Sequence, residues 1–265
     1  MTINTTSFHS IRRIFTEGFT VNDIAEPLAS FDDCTPAPQV RAFMQQRRYQ
    51  LLGIRRDGVV THYVERDQLG DGPCAEYMRP IPDERRITDT TPLVQAVLRL
   101  KEHSRLFVSL LGRVGGIVSR SDLQKPPVRM WLFGMITLIE MRFTRLIAAH
   151  CPDESWREFL SPARIEKAET LLAERIRHHQ DLPLLECLQL ADKVQIIARN
   201  EKLRAMTVFQ SRRQIEQAQK MIERLRNNLA HSQDILTTDW DTIVLLSENL
   251  DVVVDGPRGM RAEAD

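Results

Sequence analysis

The chain has 265 residues, with 36 basic and 36 acidic side chains and a formal net charge of zero. That length leaves room for one large or two ordinary domains, each with its own core. The charge balance excludes a whole-molecule field for capturing nucleic acid and leaves only local patches. The four cysteines (Cys34, Cys74, Cys151, Cys187) are scattered without a C-x-x-C pair. They read as reduced thiols of a cytoplasmic protein, not as a zinc site or a disulfide framework, and no metal centre is expected. Met1 to Phe19 lacks the apolar core of a signal peptide. The most apolar run, Met130 to Ile139, is followed by Glu140 and Arg142. It is too short to cross a bilayer and reads as a buried helix, so no membrane partner is expected.

In chain order, residues 1–17 read as a loosely held N-terminal arm. Residues 18–125 mix short strands and short helices in a duplicated pattern, with repeats over about 20–70 and 75–124. Pro38 and Ala42 recur as Pro92 and Ala96, and Asp67 recurs as Asp122, a spacing of 54 at the start of each block and 55 at the end. Leu51 to Ile54 and Val59 to Val64 read as strands joined by the turn Arg56-Asp57-Gly58, with Leu106 to Leu111 and Gly116 to Val118 as counterparts. Pro38 and Pro92 sit where they can start helices. A repeated unit of this kind buries its apolar face against its copy, and the clefts between the copies become candidate ligand sites.

The second block ends Gly116-Ile117-Val118-Ser119-Arg120-Ser121-Asp122-Leu123. A strand delivers a hydroxyl and, three residues on, a carboxylate at a helix start. The bland reading is a capping-box variant that finishes the helix. The functional one is a carboxylate that accepts both ribose hydroxyls beside a phosphate-favouring helix end. Thr91-Pro92-Leu93…Ala96, Ser104-Arg105-Leu106-Phe107-Val108 and Gly116-Ile117-Val118-Ser119-x-x-Asp122-Leu123 resemble a CBS motif, and the tandem resembles the CBS pair that senses adenosyl ligands. The resemblance implies that Asp122 holds ribose, Ser119 helps hold phosphate and Arg105 lies near the phosphates. It also implies an AMP- or ATP-like regulator and no required cofactor. The first copy keeps Asp67 but has Val64 in place of the hydroxyl and Leu51 in place of Arg105. The Asp122 cleft is therefore expected to be the better site, and the Asp67 cleft weak or empty.

The Pro126-Pro127 pair is expected to break the chain at a domain boundary. Beyond it, residues 128–254 read as an all-helical bundle, so the fold class is α+β: a tandem αβ pair followed by helices. Expected helices are Val128 to His150, Ala163 to His178 after a Ser161-Pro162 start, Leu184 to Asn200, Ser211 to about Ser232, and Asp239 to Leu250. A short strand is expected at Val252 to Val254, and residues 255–265 read as a disordered tail.

The fourth of these helices carries Arg224-Leu225-Arg226-Asn227-Asn228-Leu229-Ala230-His231. Arg226-Asn227-x-x-x-His231 in a helical bundle resembles the signature of HEPN domains, many of which are dimeric, metal-independent ribonucleases. The resemblance implies acid–base work by His231 at a ribose 2′-hydroxyl and phosphate contact by Arg226 beside Asn227. An imidazole near neutral pKa and a guanidinium suit those tasks. Ile215, Ala218, Ile222, Leu225 and Leu229 form one apolar stripe. On that wheel His231 points away from the stripe with Arg224, while Arg226 lies at its edge, so bare geometry favours Arg224 and the family pattern Arg226. From Glu201 to His231 seven Lys/Arg face three acids, a basic strip in a neutral protein. Glu140 is expected to pair with a bundle arginine, or else to orient His231.

Together these features point to an adenine-nucleotide-sensing regulatory protein, expected as a homodimer. Its helical half would be an RNA-cleaving domain, with RNA as a further partner. The alternatives are a non-enzymatic module that dimerises or docks a protein under ligand control, and RNA binding without cleavage.

Overall fold

The computed structural model describes residues 5–249, with side chains from Ser10 onward. The expected strand at Val252 to Val254 and the tail after residue 255 lie outside the described residues. The chain divides into two compact units. One is Glu17–Val128, and the other joins the residues before Glu17 to those from Arg129 onward.

The Glu17–Val128 unit contains eight strands and two α-helices. In chain order these are β1 (Glu26–Pro27), β2 (Ser30–Asp32), α2 (Ala37–Arg47), β3 (Leu51–Arg56), β4 (Val59–Glu65), β5 (Arg79–Pro80), β6 (Arg86–Thr88), α3 (Leu93–Glu102), β7 (Arg105–Leu110) and β8 (Arg113–Ser119). They form two four-stranded sheets, ordered β2-β3-β4-β5 and β1-β8-β7-β6. Within each copy a parallel pair (β2 with β3, β6 with β7) is bridged by the helix, and an antiparallel hairpin follows. The short strand that leads into each copy does not stay with it. β1 pairs with β8 of the second copy, and β5 pairs with β4 of the first.

This exchange is matched by backbone hydrogen bonds in mirrored positions. Val21 donates to the Thr91 carbonyl (2.8 Å) as Cys74 does to Thr35 (2.9 Å). Leu93 donates to Phe19 (2.9 Å) as Ala37 does to Gly72 (2.7 Å). Apolar residues seal the joint: Leu28, Leu51, Tyr63, Ile81 and Phe107 form one buried cluster drawn from both copies, with Val60, Val114 and Ile117 against it. Burial of that surface at roughly 25 cal/mol per Å² is what holds one copy to the other.

The register corrects the sequence landmarks. Pro36, not Pro38, is the counterpart of Pro92. Each of the two precedes its helix with φ −58°, while Pro38 sits inside the first turn of α2. From β3 and β7 onward the copies run at a constant offset, Leu51 matching Arg105 and Glu65 matching Ser119. The copies differ in length at two places. Ala37 leads Leu51 by 14 positions whereas Leu93 leads Arg105 by 12, and the first copy takes up the extra length in a turn with Arg48 left-handed at φ +58°. β1 begins 4 positions before β2, but β5 begins 7 before β6, the extra residues forming the short 3-10 turn Asp83–Arg85.

Among the described residues, the second unit is helical. It contains α1 (Thr5–Glu17), most of α4 (Pro126–His150), α5 (Pro162–Arg177), α6 (Leu190–Arg199), α7 (Glu201–Ala205), α8 (Arg212–Ala230) and α9 (Leu236–Glu248). Residues 5–17 are thus a helix, not a loose arm. The indole N–H of Trp131 donates to the Phe15 carbonyl at 2.8 Å, and Gly134 leaves room for the Phe15 ring, which a Cβ there would strike. Pro126 and Pro127 do not break the chain but open α4, because the first turn of a helix needs no N–H from them. The helix expected over Leu184 to Asn200 is cut in two. Asp192 accepts the Gln189 backbone N–H at 3.1 Å and starts α6 afresh after the turn Leu184–Cys187. Ser211 caps α8 by accepting from Gln214 at 3.2 Å, and the buried residues of α8 are the apolar stripe read from the sequence. Glu140 pairs with Lys193 (2.9 Å), a lysine only 3% exposed, and not with an arginine.

The hairpin turns offer a direct test. Asp57-Gly58 and Leu111-Gly112 both have positive φ at both positions (+53° and +77°, +49° and +81°), as a two-residue hairpin of matching twist requires. Leu111 holds that strained geometry while fully exposed. Leu111→Asp, copying the first repeat, is expected to raise unfolding stability by about 1 kcal/mol in a denaturant titration.

Candidate functional site

A cleft of about 430 Å³ opens between the two copies within the Glu17–Val128 unit. One wall is the turn Arg48-Tyr49-Gln50 and the start of β3. The other is the end of β8 with Ser119, Ser121 and Asp122, beside Arg105, and β1 closes one side. Ile117 and Leu52 supply apolar surface, and Tyr49 is 41% exposed at the rim. The two-residue excess of the first copy is what carries Arg48 and Tyr49 to this position.

Ser119, Asp122 and Arg105 are brought together as the sequence leads one to expect. Arg105 and Ser119 are direct partners in the β7–β8 ladder. Asp122 is 9% exposed. Its Oδ2 accepts the Ser119 backbone N–H (2.7 Å) and the Ser119 hydroxyl (2.8 Å), and its Oδ1 meets the Lys125 ammonium at 2.9 Å. The pair caps the short turn Arg120–Gln124, and both residues also line the cleft. A carboxylate has about four acceptor positions, so three bonds leave one free. The Ser119 hydroxyl also has a second partner in the Ser121 hydroxyl at 2.7 Å, to which it can turn.

Lys125 and Glu26 were missed from sequence. Lys125 bridges Asp122 and Glu26 and donates to the Ile24 carbonyl at 2.6 Å. Its pKa is set by partial burial, which pulls it down, and by the hydrogen bonds and charges of Glu26 and Asp122, which outweigh burial and raise it above the ordinary lysine value. Lys125 is thus cationic at neutral pH, and the stability it lends is lost only as pH rises through that raised value. Its spacing of three from Asp122 was the available signal. Glu26 gave none, because strand exchange alone brings it there.

Asp67 is not the counterpart of Asp122. At the constant offset that position is Gln68, which is exposed, and Glu65 stands where Ser119 does. The Asp67 side chain is 78% exposed and pairs with the adjacent Arg66 at 3.0 Å. Its place one residue earlier turns it out to solvent.

The four residues singled out on α8 do not form one constellation. Arg224 Nε donates to Asp239 at 2.8 Å and its Nη2 to the Thr238 carbonyl, while Asn228 Nδ2 donates to the other Asp239 oxygen at 2.6 Å. Asp239 is wholly buried, so Arg224 fastens α8 to α9. Arg226, Asn227 and His231 are exposed, and His231 lies just past the helix end. Among the described residues Arg226 and His231 make no side-chain hydrogen bond or ion pair.

Among the described residues no group of three or more His, Cys, Asp or Glu side chains could hold a metal, and no helix is long and apolar enough to cross a membrane. Cys74, Cys151 and Cys187 are buried free thiols, and burial raises the pKa of each.

No protein-family model matches the chain, and no curated protein does. Among solved structures it is similar to a CBS-pair protein, CBSX2, from Arabidopsis thaliana, with 21% identity, 43% of this chain and 95% of that chain covered, and a TM-score of 0.37. It is similar to a CBS domain protein from Pyrobaculum aerophilum complexed with AMP (18% identity, 42% and 96% covered, TM-score 0.36). It is also similar to the CBS domain of a bacterial CNNM/CorC family Mg2+ transporter in complex with ATP (14% identity, 46% and 94% covered, TM-score 0.37). Likenesses this distant carry no inference about what this chain binds.

The two arginines of α8 separate by stability. Arg224→Ala leaves the buried Asp239 carboxylate without its cation and is expected to cost about 2 to 3 kcal/mol. Arg226→Ala is expected to stay within about 0.5 kcal/mol of the parent in the same thermal or denaturant unfolding experiment.

Proposed function

We propose that this chain is a regulatory protein that senses an adenine nucleotide in the cleft of Ser119 and Asp122. The observation that carries this is the cleft's composition. It is of a size that suits a small ligand, and it sets a carboxyl group held by Ser119 and Lys125 beside apolar surface and two arginines. Asp122 suits a ribose diol, since an anionic acceptor binds hydroxyl donors more strongly than a neutral one does. Arg48 and Arg105 suit phosphate oxygens. Tyr49, Ile117 and Leu52 suit a flat apolar ring. The adenine base is assigned by the sequence resemblance to CBS pairs. Regulation follows only if the ligand binds one conformational state better than another, and the helical unit is then the output. Control of homodimerisation or of a protein partner meets that requirement without any chemistry in the helical unit.

A second proposal gives that output as metal-independent RNA cleavage by Arg226 and His231, with Asn227 beside them. What favours it is that Arg226 and His231 are exposed and unengaged among the described residues, so a second copy of the chain could supply the mirror pair across a two-fold axis. Arg224 drops out of this proposal because Asp239 already holds it. RNA digestion by the wild-type dimer is expected to be abolished in His231→Ala. Undiminished digestion by that variant removes the catalytic assignment and leaves the sensor.

Calorimetric titration tests the sensor. AMP is expected to bind the full chain about tenfold more tightly than 2′-deoxy-AMP, a difference of about 1.4 kcal/mol. In Asp122→Asn, AMP is expected to weaken by a similar factor and the gap between the two ligands to close. Equal binding of AMP by parent and variant contradicts the proposal.

A further inference from the structure

Two copies related by a pseudo-two-fold imply two clefts, one at each side of the shared apolar cluster. The open one is lined by Leu51 of β3 and Ile117 of β8. Their counterparts at the constant offset are Arg105 of β7 and Tyr63 of β4, and between those two lies a side chain with no counterpart in the first copy. Arg85, from the three-residue excess of the second copy, extends its guanidinium over the Tyr63 and Phe107 rings, 5.2 Å from each centroid. Its Nη1 donates to the Tyr63 hydroxyl at 3.2 Å and its Nε to the Arg105 carbonyl at 3.4 Å. The residue matching Phe107 in the first copy is Gly53, and that matching Tyr63 is the smaller Ile117. One side of the pair is thus built open and the other built full.

We propose that the Arg85 guanidinium is the resident occupant of the second cleft, where it and the lack of a Ser119–Asp122 equivalent together leave the chain with one adenosine site and not two. This rests on the nucleotide assignment for the Ser119 and Asp122 cleft. A planar cation lying over two rings that pack on each other (Tyr63 and Phe107 centroids 5.2 Å apart, tilted 48°) gains electrostatic attraction from both, more so as water is excluded. It also donates to two oxygens, which an apolar plug cannot do. The position is closed to a diol and phosphate as well, since Glu65 and Gln68 stand where Ser119 and Asp122 stand on the open side. The two length differences between the copies therefore act in opposite senses: Arg48-Tyr49 furnishes one cleft, and Asp83–Arg85 fills the other.

The test uses the full chain. Wild type is expected to take up one equivalent of AMP by calorimetry, and Arg85→Ala likewise. Arg85→Ala is expected to lower Tm by roughly 5 °C. Millimolar ethylguanidinium is expected to restore most of that loss, and ethylammonium at the same concentration is not. Two equivalents bound by wild type, or a folded Arg85→Ala that ethylguanidinium does not stabilise, overturns the proposal. Should the alanine variant fail to fold, Arg85→Lys keeps the charge without the planar fork. A smaller Tm loss than that of a typical cavity variant supports the proposal, and wild-type stability overturns it. If ethylguanidinium rescues but wild type takes up no AMP, the occupancy of the second cleft stands and the nucleotide assignment fails.

Discussion

Neither copy of the αβ repeat can complete its own sheet. Each gives its lead-in strand to the other, and the joint is sealed by Leu28, Leu51, Tyr63, Ile81 and Phe107. From that one constraint the rest of the unit follows. The exchanged strand β1 is what brings Glu26 to Lys125, and Lys125 to Asp122. The same joint fixes where clefts can form, because the strand ends flank the apolar seal and cannot be filled by it. Substitutions that weaken the seal should therefore disturb the cleft before they disturb the individual hairpins, each of which is held by its own ladder.

In the proposed site a structural device and a binding device share the same atoms. Asp122 caps a short turn and is paired with Lys125, so its side chain is fixed in place by folding. Preorganisation of this kind lowers the cost of binding, since the groups are ordered by folding and not by the ligand. Opposite it, Arg48 is placed by a left-handed turn that exists only in the first copy. Symmetry supplies the architecture, and small departures from symmetry supply the chemistry. On the helical side, Asp239 plays a comparable ordering role between α8 and α9, with Arg224 and Asn228 as its partners.

Much of this was legible in the sequence where periodicity governs. The hairpins, the α8 stripe and the Ser119–Asp122 pair follow from alternation, 3.6-residue spacing and local capping, all short-range rules. What failed was comparison across distance. Asp67 stands one place from the true counterpart Gln68, and Pro38 two places from Pro36, because the copies differ in length and a landmark residue lay close by in each case. The helix Thr5–Glu17 was hidden because its anchor is Trp131, more than a hundred residues away. Arg224 looked available on a helical wheel, which cannot show the buried carboxylate of a neighbouring helix. Glu140 was rightly expected to be paired, but the choice of Lys193 over an arginine depends on which helix packs beside it.

The most direct test of the shared joint as the origin of a ligand site is amide hydrogen exchange on the full chain with and without saturating AMP. Slower exchange is expected in three segments far apart in sequence: Glu26 to Ala29, Arg48 to Leu52, and Ile117 to Asp122. Exchange at Tyr63 and around Asp83 to Arg85 is expected to stay unchanged. Protection confined to the two segments holding Tyr63 and Arg85, or no protection at any of the three, would contradict the account.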